Sequence, residues 1–136
     1  MSKSKMPSKL TPVHCIVFPL LTIAVLDGFN EKERDDLAST VLALSGDGGM
    51  FSLTQEVALK NFGETVDWFT SMEYKEAIST AIQCCQTIHD QITNDNTRKS
   101  IVSFLIDTAN ADGKVSDEEK TLVGMFGTVI LNGIKS

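Results

Sequence analysis

The sequence has few of the residues that build covalent or catalytic frameworks. Its 136 residues include three cysteines, two histidines, one tryptophan and one tyrosine. Three cysteines are an odd number and two of them, Cys84 and Cys85, are adjacent, which argues against a disulfide scaffold and fits a reducing, cytoplasmic setting. No glycine-rich phosphate loop and no nucleophile motif is present, histidines are sparse, and no nucleophile, base and acid are expected to assemble into a catalytic set. The chain is therefore not predicted to be an enzyme.

The chain also has no apolar run long enough to cross a membrane. Its most apolar stretch covers residues 13–26, whereas a spanning helix needs about 20 residues. Pro12 and Pro19 are expected to interrupt this stretch. A lysine-rich start imitates a secretory signal, but no small-residue cleavage pattern follows. We therefore expect residues 1–11 to be a flexible basic tail and residues 12–136 to form one helical domain.

Apolar spacing predicts helices along most of the chain. The run at 14–26 is apolar on nearly every side, which is typical of a central helix that others surround. Further helices are expected after Asn30, at 53–62, 74–92 and 97–111, and after residue 116. A break is expected at Gly63, followed by a short separate segment at 66–69. The expected buried face of the 74–92 helix consists of Ile78, Ile82, Cys85, Ile88 and Ile92. No stretch alternates with period two, so the predicted fold class is all-α.

One short motif occurs twice. Residues 27–34 read Asp-Gly-Phe-Asn-Glu-Lys-Glu-Arg, and residues 112–120 read Asp-Gly-Lys-Val-Ser-Asp-Glu-Glu-Lys. Each copy follows an apolar, helix-like run. Each also contains a capping-box pattern, in which a small polar residue precedes a glutamate by three positions, and this pattern predicts the start of a helix. The residues concerned are Asn30 with Glu33 and Ser116 with Glu119.

The net charge of the chain is concentrated in the two copies. Segments 27–36 and 107–120 each carry a net charge of −3, and together they account for the −6 of the whole chain. A field of this sign attracts cations and basic surfaces, and it argues against binding to the phosphate backbone of nucleic acids. We therefore expect a protein partner that binds through the acidic surface and no nucleic-acid partner. The sequence sets no oligomeric state.

The doubled motif carries a family resemblance. The runs at 22–34 and 109–120 resemble the signature of the TerB-like tellurite-resistance family, which also occurs twice with the first copy one residue shorter. The resemblance in spacing covers residues 13–132. It implies an all-helical bundle of about seven helices in two pseudo-symmetric helix-turn-helix halves, with an acidic surface that binds divalent metal. It also implies a cytoplasmic role in tellurite or general stress resistance and allows an association with a membrane-bound complex.

The positions that match the signature are the candidate metal ligands. They are Asp27, Glu33, Asp112 and Glu119. Asp107 and Glu31 are further candidates, which would support these ligands without contacting the ion directly. We expect the two Asp-Gly turns to approach across the pseudo-twofold axis and to share a hard, oxygen-liganded cation such as Ca²⁺ or another divalent ion.

Two alternatives stay open at this point. In the first, the chain is a structural adaptor whose acidic turns only cap helices, each cap contributing about 1 kcal/mol. In the second, it is an EF-hand-like calcium sensor, because Gly113 at the sixth loop position would place Asp112 and Glu119 at ligand positions. The second is less favoured, since Thr108 stands where such a loop begins with Asp.

Three further features have both a functional and a structural interpretation. Cys85 and His89 have a spacing that could bind zinc, and the pair Cys84 and Cys85 could capture a thiophilic product of oxyanion reduction. Buried small thiols are the simpler interpretation of both. An aromatic-rich segment could form an exposed partner-binding edge, although such clusters more often belong to the core. Its members are Trp68, Phe69, Met72 and Tyr74.

Overall fold

The computed structural model describes residues 11–25, 35, 37–39, 54–110 and 116–133. Within these ranges every regular element is helical, and residues 35 and 37–39 are helical as well. The all-α prediction is therefore confirmed for the part of the chain that the structure describes. The five helices with described bounds are α1 at Pro12–Ala24, α2 at Gln55–Thr70, α3 at Tyr74–Gln91, α4 at Asp95–Ala109 and α5 at Asp117–Asn132.

Helix α1 forms the centre of the packing. Every residue from 13 to 24 is buried, and α1 packs against each of the other four helices. A helix that is apolar on all sides has no face suited to water, so it is stable only when neighbours cover it on every side. The predicted central helix is confirmed. At 13 residues α1 is about 20 Å long, and none of the described helices has the length and apolar character needed to cross a bilayer.

The start of α1 is fixed by a capping box that uses a histidine. The backbone N–H of His14 donates to Thr11 Oγ1 over 3.5 Å, and the backbone N–H of Thr11 donates to His14 Nδ1 over 2.9 Å. Pro12 opens the helix, where its missing N–H is not needed. Pro19 lies inside the helix, which continues to Ala24. The expectation that the two prolines interrupt the run is wrong, because packing on all sides holds the helix through Pro19.

An aromatic cluster joins α1 to α2. The ring centroid of Phe18 lies 4.6 Å from that of Trp68 and 5.4 Å from that of Phe69, with tilted and edge-on geometry respectively. Aromatic pairs prefer such arrangements because the ring edge is positive and the face negative. All three rings are buried. Trp68 and Phe69 are therefore core residues, which confirms the favoured interpretation for these two and excludes them from an exposed edge.

Helix α2 is continuous where two segments were expected. It passes through Gly63, and a Cβ placed on that glycine would meet no atom within 4 Å. A glycine inside a helix costs about 1 kcal/mol relative to alanine, which tertiary packing of the flanking turns readily offsets. Ala58, Phe62 and Thr65 supply that packing, since all three are buried. The predicted break at Gly63 is wrong.

Helix α3 occupies nearly the predicted range but buries a rotated face. Its buried residues include the small Ala77 and Ala81, whereas Ile78 and Ile82 are only half-buried. The bulky side chains of α1 need small residues opposite them if the two helices are to approach closely, so the alanines face the centre. Helix α3 also packs against α5.

Helices α4 and α5 pair through regular apolar spacing. The side chain of Asn94 caps α4 by accepting the N–H of Thr97 over 3.1 Å, so this helix begins two residues before the predicted range. A Cβ placed on Gly127 would lie 3.3 Å from a methyl group of Val102, which shows how closely the two helices approach. The buried side chains are Ile101, Leu105 and Ala109 on α4 and Leu122, Phe126 and Ile130 on α5.

We expect Phe18→Ala to lower the free energy of unfolding by about 3–5 kcal/mol, because it removes a fully buried ring and leaves a cavity beside Trp68. Urea unfolding measured by the fluorescence of the single tryptophan gives this value directly. Leu59→Ala is the control, since Leu59 is 43% exposed and its truncation should change the stability by about 0.5 kcal/mol. A wild-type unfolding midpoint for Phe18→Ala would contradict the placement of α1 at the centre.

Candidate functional site

The second acidic motif leads into α5 through a reciprocal capping box. The backbone N–H of Glu119 donates to Ser116 Oγ over 3.1 Å, and the backbone N–H of Ser116 donates to Glu119 Oε1 over 3.1 Å. These two bonds satisfy donors that a helix start otherwise leaves to water. The predicted helix start is therefore confirmed.

Glu119 differs from an ordinary capping glutamate in its burial. Its exposed fraction is 0%, and its Oε2 has no hydrogen-bond partner among the described residues. A buried acceptor without a donor costs about 1–3 kcal/mol, and more when the group is charged. The N-terminal dipole of α5 favours negative charge at this position and offsets part of that cost. The lone pairs of Oε2 are a place where a cation or a hydrogen-bond donor can bind.

Two of the six predicted ligands lie in the described ranges. Glu119 is enclosed at the first turn of α5, whereas Asp107 is exposed near the end of α4. Across ranges 11–25, 35, 37–39, 54–110 and 116–133, no three or more His, Cys, Asp or Glu side chains are grouped to hold a metal. Glu119 and Asp107 therefore do not complete a site by themselves. The other predicted ligands, Asp27, Glu31, Glu33 and Asp112, lie outside the described residues, as does Asn30.

The end of α4 has helical geometry and not that of a calcium loop. Helix α4 continues to Ala109, with Asn110 as its C-cap. Thr108 Oγ1 donates to the carbonyl of Phe104 over 2.9 Å, and Asn110 Nδ2 donates to the carbonyl of Ile106 over 2.9 Å. Thr108 and Asn110, which would be the first and third residues of an EF-hand loop with Gly113 at its sixth position, are thus bonded within a helix end. This geometry disfavours the calcium-sensor alternative.

A groove of about 380 Å³ lies beside the start of α5. Tyr74 Oη donates to the carbonyl of Thr22 over 2.8 Å, which ties the start of α3 to the end of α1. Burial, and after it the negative charges of Glu118 and Glu119, raises the pKa of Tyr74 to about 12, so the phenol stays a neutral donor. The lining residues are Tyr74 and Ile78 from α3 and Asp117, Glu118, Thr121, Leu122 and Met125 from α5.

Sequence reasoning missed this groove because it depends on how α3 and α5 pack. A partial signal was present, since Asp117, Thr121 and Met125 recur at four-residue spacing and so share one face of a helix. Nothing in the spacing indicated that Tyr74 and Ile78 would face them.

The three cysteines are enclosed in the core formed by α1 and α3. All are free thiols and all are buried. A hydrogen bond between Cys15 and Cys84 lowers the pKa of Cys15 and raises that of Cys84, and burial raises the pKa of Cys85. Enclosed thiols of this kind behave as small apolar side chains. Their burial argues against direct capture of a thiophilic species by Cys84 and Cys85.

His89 contacts the end of α5. Its Nδ1 donates to the carbonyl of Ile130 over 3.0 Å. The ring also lies against Gly133, whose φ of 78° favours glycine, and a Cβ there would lie 2.9 Å from His89 Cδ2. Cys85, four residues before His89, is fully enclosed. The described residues thus give His89 a packing role and do not group it with other metal-binding side chains.

His14 is a buried titratable residue in the first turn of α1. Because the N–H of Thr11 donates to Nδ1, the neutral ring carries its proton on Nε2, which donates to Glu64 Oε1 over 3.1 Å. Asn61 Nδ2 donates to Thr11 Oγ1 over 3.0 Å and extends the network to α2. Burial lowers the pKa of His14 below its usual 6.5, and the Glu64 carboxylate offsets only part of this effect.

Comparison of the chain with protein-family models, with curated proteins and with solved structures gives no match in any of the three. The resemblance to the TerB-like family stays a prediction drawn from the two motifs.

We expect the thiols of the native protein to be unreactive toward a water-soluble aromatic disulfide reagent, because each sulfur is enclosed. In 8 M urea all three should react, at a rate more than about 100-fold higher, since reaction of the native state requires opening of the core. The absorbance of the released thiolate measures both rates. Rapid reaction of two thiols in the native protein would restore the Cys84 and Cys85 capture hypothesis.

We expect the protein to lose stability below pH 6.5 through His14. Its pKa is lower in the folded than in the unfolded chain, so the unfolded state takes up the proton first as the pH falls. The contribution of neutral His14 to the free energy of unfolding is fully present above about pH 6.5. Below this pH it is lost at up to about 1.4 kcal/mol per pH unit. His14→Gln keeps an acceptor for the capping box and should show a smaller difference in unfolding free energy between pH 7.5 and 5.5. Equal differences in urea unfolding of the two proteins would exclude this role.

Proposed function

We propose that the chain is a non-enzymatic, TerB-like interaction module that binds a divalent cation at its acidic motifs. In this proposal it forms a bundle of about seven helices in two pseudo-symmetric halves and acts in the cytoplasm, in tellurite or general stress resistance. The cation is Ca²⁺ or another hard divalent ion, and the acidic surface contacts a protein partner.

Glu119 is the observation that carries the proposal. One of its carboxylate oxygens is held by the backbone of Ser116, and the other is buried with no hydrogen-bond partner among the described residues. A carboxylate already fixed in position loses little conformational entropy when it binds an ion. A hard divalent cation takes carboxylate oxygens as ligands and would neutralise a buried charge that is otherwise costly.

The position of Asp112 in the sequence also supports the proposal. Ser116 follows Asp112 by four positions, and four consecutive Cα–Cα steps of an extended chain span at most about 14 Å. The second Asp-Gly motif is therefore close in sequence to the capping box that holds Glu119. Segment 107–120 has a net charge of −3, which raises the local concentration of cations.

A structural adaptor is the second candidate function, and the capping box itself favours it. In this case Glu119 only closes the start of α5, and the acidic turns have no ligand. The two candidates differ in one thermodynamic property. A cation that binds the native state alone must stabilise it, by about 2.7 kcal/mol at a concentration 100 times the dissociation constant.

Calorimetric titration with Ca²⁺ and Mg²⁺, together with thermal unfolding, tests the proposal. We expect heat of binding and a rise in Tm of several degrees, both lost in Glu119→Gln and in Asp112→Asn because each removes a carboxylate ligand. Glu56→Gln is the matched control: Glu56 also lies in the first turn of a helix and is exposed. It should keep the full response.

Glu119→Gln serves a second purpose without any cation. If the buried carboxylate lacks compensation in the free protein, the neutral amide should unfold at the same or a higher temperature than the wild type. If the wild-type protein shows neither heat of binding nor a shift in Tm, cation binding is excluded and the structural adaptor is the remaining candidate function.

A further inference from the structure

We propose that the groove between α3 and α5 binds a basic amphipathic peptide segment, with an apolar side chain inside the groove and lysine or arginine side chains facing Asp117 and Glu118. This inference rests on the partner-binding part of the proposed function, to which it assigns a place and a ligand chemistry. It does not depend on the cation.

The walls of the groove are apolar and partly open. Ile78 is half-buried, and Met125 is 37% exposed. A methionine side chain is unbranched and adapts its shape to different apolar partners. The volume of about 380 Å³ lies within the range of 300–1,000 Å³ that ligand pockets occupy. An apolar side chain of a peptide can therefore enter without displacing a core residue.

The charge of the groove decides which peptide fits. Asp117 and Glu118 line it and are exposed, and no lysine or arginine is among its described lining residues. The negative charge of Glu118 also reaches the groove wall, since, after burial, it contributes to the raised pKa of Tyr74. A cationic side chain beside these carboxylates is attracted, and an anionic one is repelled.

The same charge argues against two other occupants. A second copy of this chain carries a net charge of −6, and two such grooves placed face to face would bring four carboxylates together. Nucleic acid would present phosphates to Asp117 and Glu118. A basic segment of a partner is the occupant whose chemistry complements both the walls and the rim. A groove of this size is suited to a transient contact and not to an obligate interface.

The test uses the 136-residue chain and an acetylated, amidated peptide of sequence Lys-Lys-Ser-Leu-Leu-Ser-Lys-Lys. Two-dimensional NMR of the labelled protein should show saturable shifts at Ile78, Thr121, Leu122 and Met125. The affinity should fall about 3-fold or more between 50 and 300 mM salt, because exposed charges are screened. Replacing both leucines of the peptide by serine, or all lysines by glutamate, should weaken binding at least about 10-fold.

Two variants with matched controls test the residues themselves. Glu118→Gln should weaken binding of the peptide about 3- to 10-fold at 50 mM salt, since it removes one rim charge. Glu56→Gln is its control, because Glu56 and Glu118 both occupy the second position of a helix that begins after a side-chain cap. Met125→Gln should weaken binding about 10-fold, and Leu59→Gln, which also changes an exposed apolar residue, should leave it within about 2-fold.

Several outcomes would overturn the inference. Shifts that map to residues away from the groove, equal binding of the serine-substituted peptide, or equal effects of Glu118→Gln and Glu56→Gln would each show attraction by net charge alone. Concentration-dependent self-association that Met125→Gln abolishes would assign the groove to a second copy.

The experiments distinguish failure of the peptide-binding inference from failure of the proposed cation binding. Glu119→Gln should keep peptide binding and lose the response to Ca²⁺. Peptide binding with no response to Ca²⁺ or Mg²⁺ in the wild type would remove the cation and retain the groove. A response to Ca²⁺ or Mg²⁺ with no peptide binding would support the cation site and exclude the groove as a peptide-binding site.

Discussion

The rest of the structure depends on one constraint: a helix that is apolar on every side must be covered on every side. Helix α1 has no face for water, and the other four described helices pack around it. Close approach to α1 places the alanines of α3 inward and turns its isoleucines toward the flanks. The hydrogen bond from Tyr74 to the carbonyl of Thr22 then holds the start of α3 against the end of α1. The groove between α3 and α5 follows from this packing.

The features that could be predicted from sequence are those with local causes. The capping box at Ser116 and Glu119 and the central position of α1 depend on nearby residues or on average composition, and both were correct. The continuity of α2 through Gly63, the buried face of α3 and the groove were not predicted, because each depends on which helix packs against which. Only part of the candidate cation site lies within the described chain, so the approach of the two Asp-Gly motifs stays a prediction.

Glu119 connects the fold with the proposed function. The same carboxylate closes the start of α5 and leaves Oε2 without a partner in the described chain. For a cap alone, one oxygen would be enough, and an exposed glutamate would avoid the cost of burial. The buried position is explained if an ion or a donor provides the missing interaction. Glu118, its exposed neighbour, lines the groove, so adjacent residues of one helical turn serve two separate surfaces.

The enclosure of all three cysteine thiols has a practical consequence for spectroscopy. A cysteine introduced at an exposed position would be the thiol that a spin label or fluorophore reaches first, with no need to remove the native ones. Labels placed in pairs, one beside each Asp-Gly motif, would report the separation of the two motifs in solution and its change when ions are added. Because the native thiols are buried, they do not compete for the label, and the distance between the two Asp-Gly motifs can be measured in the otherwise native chain.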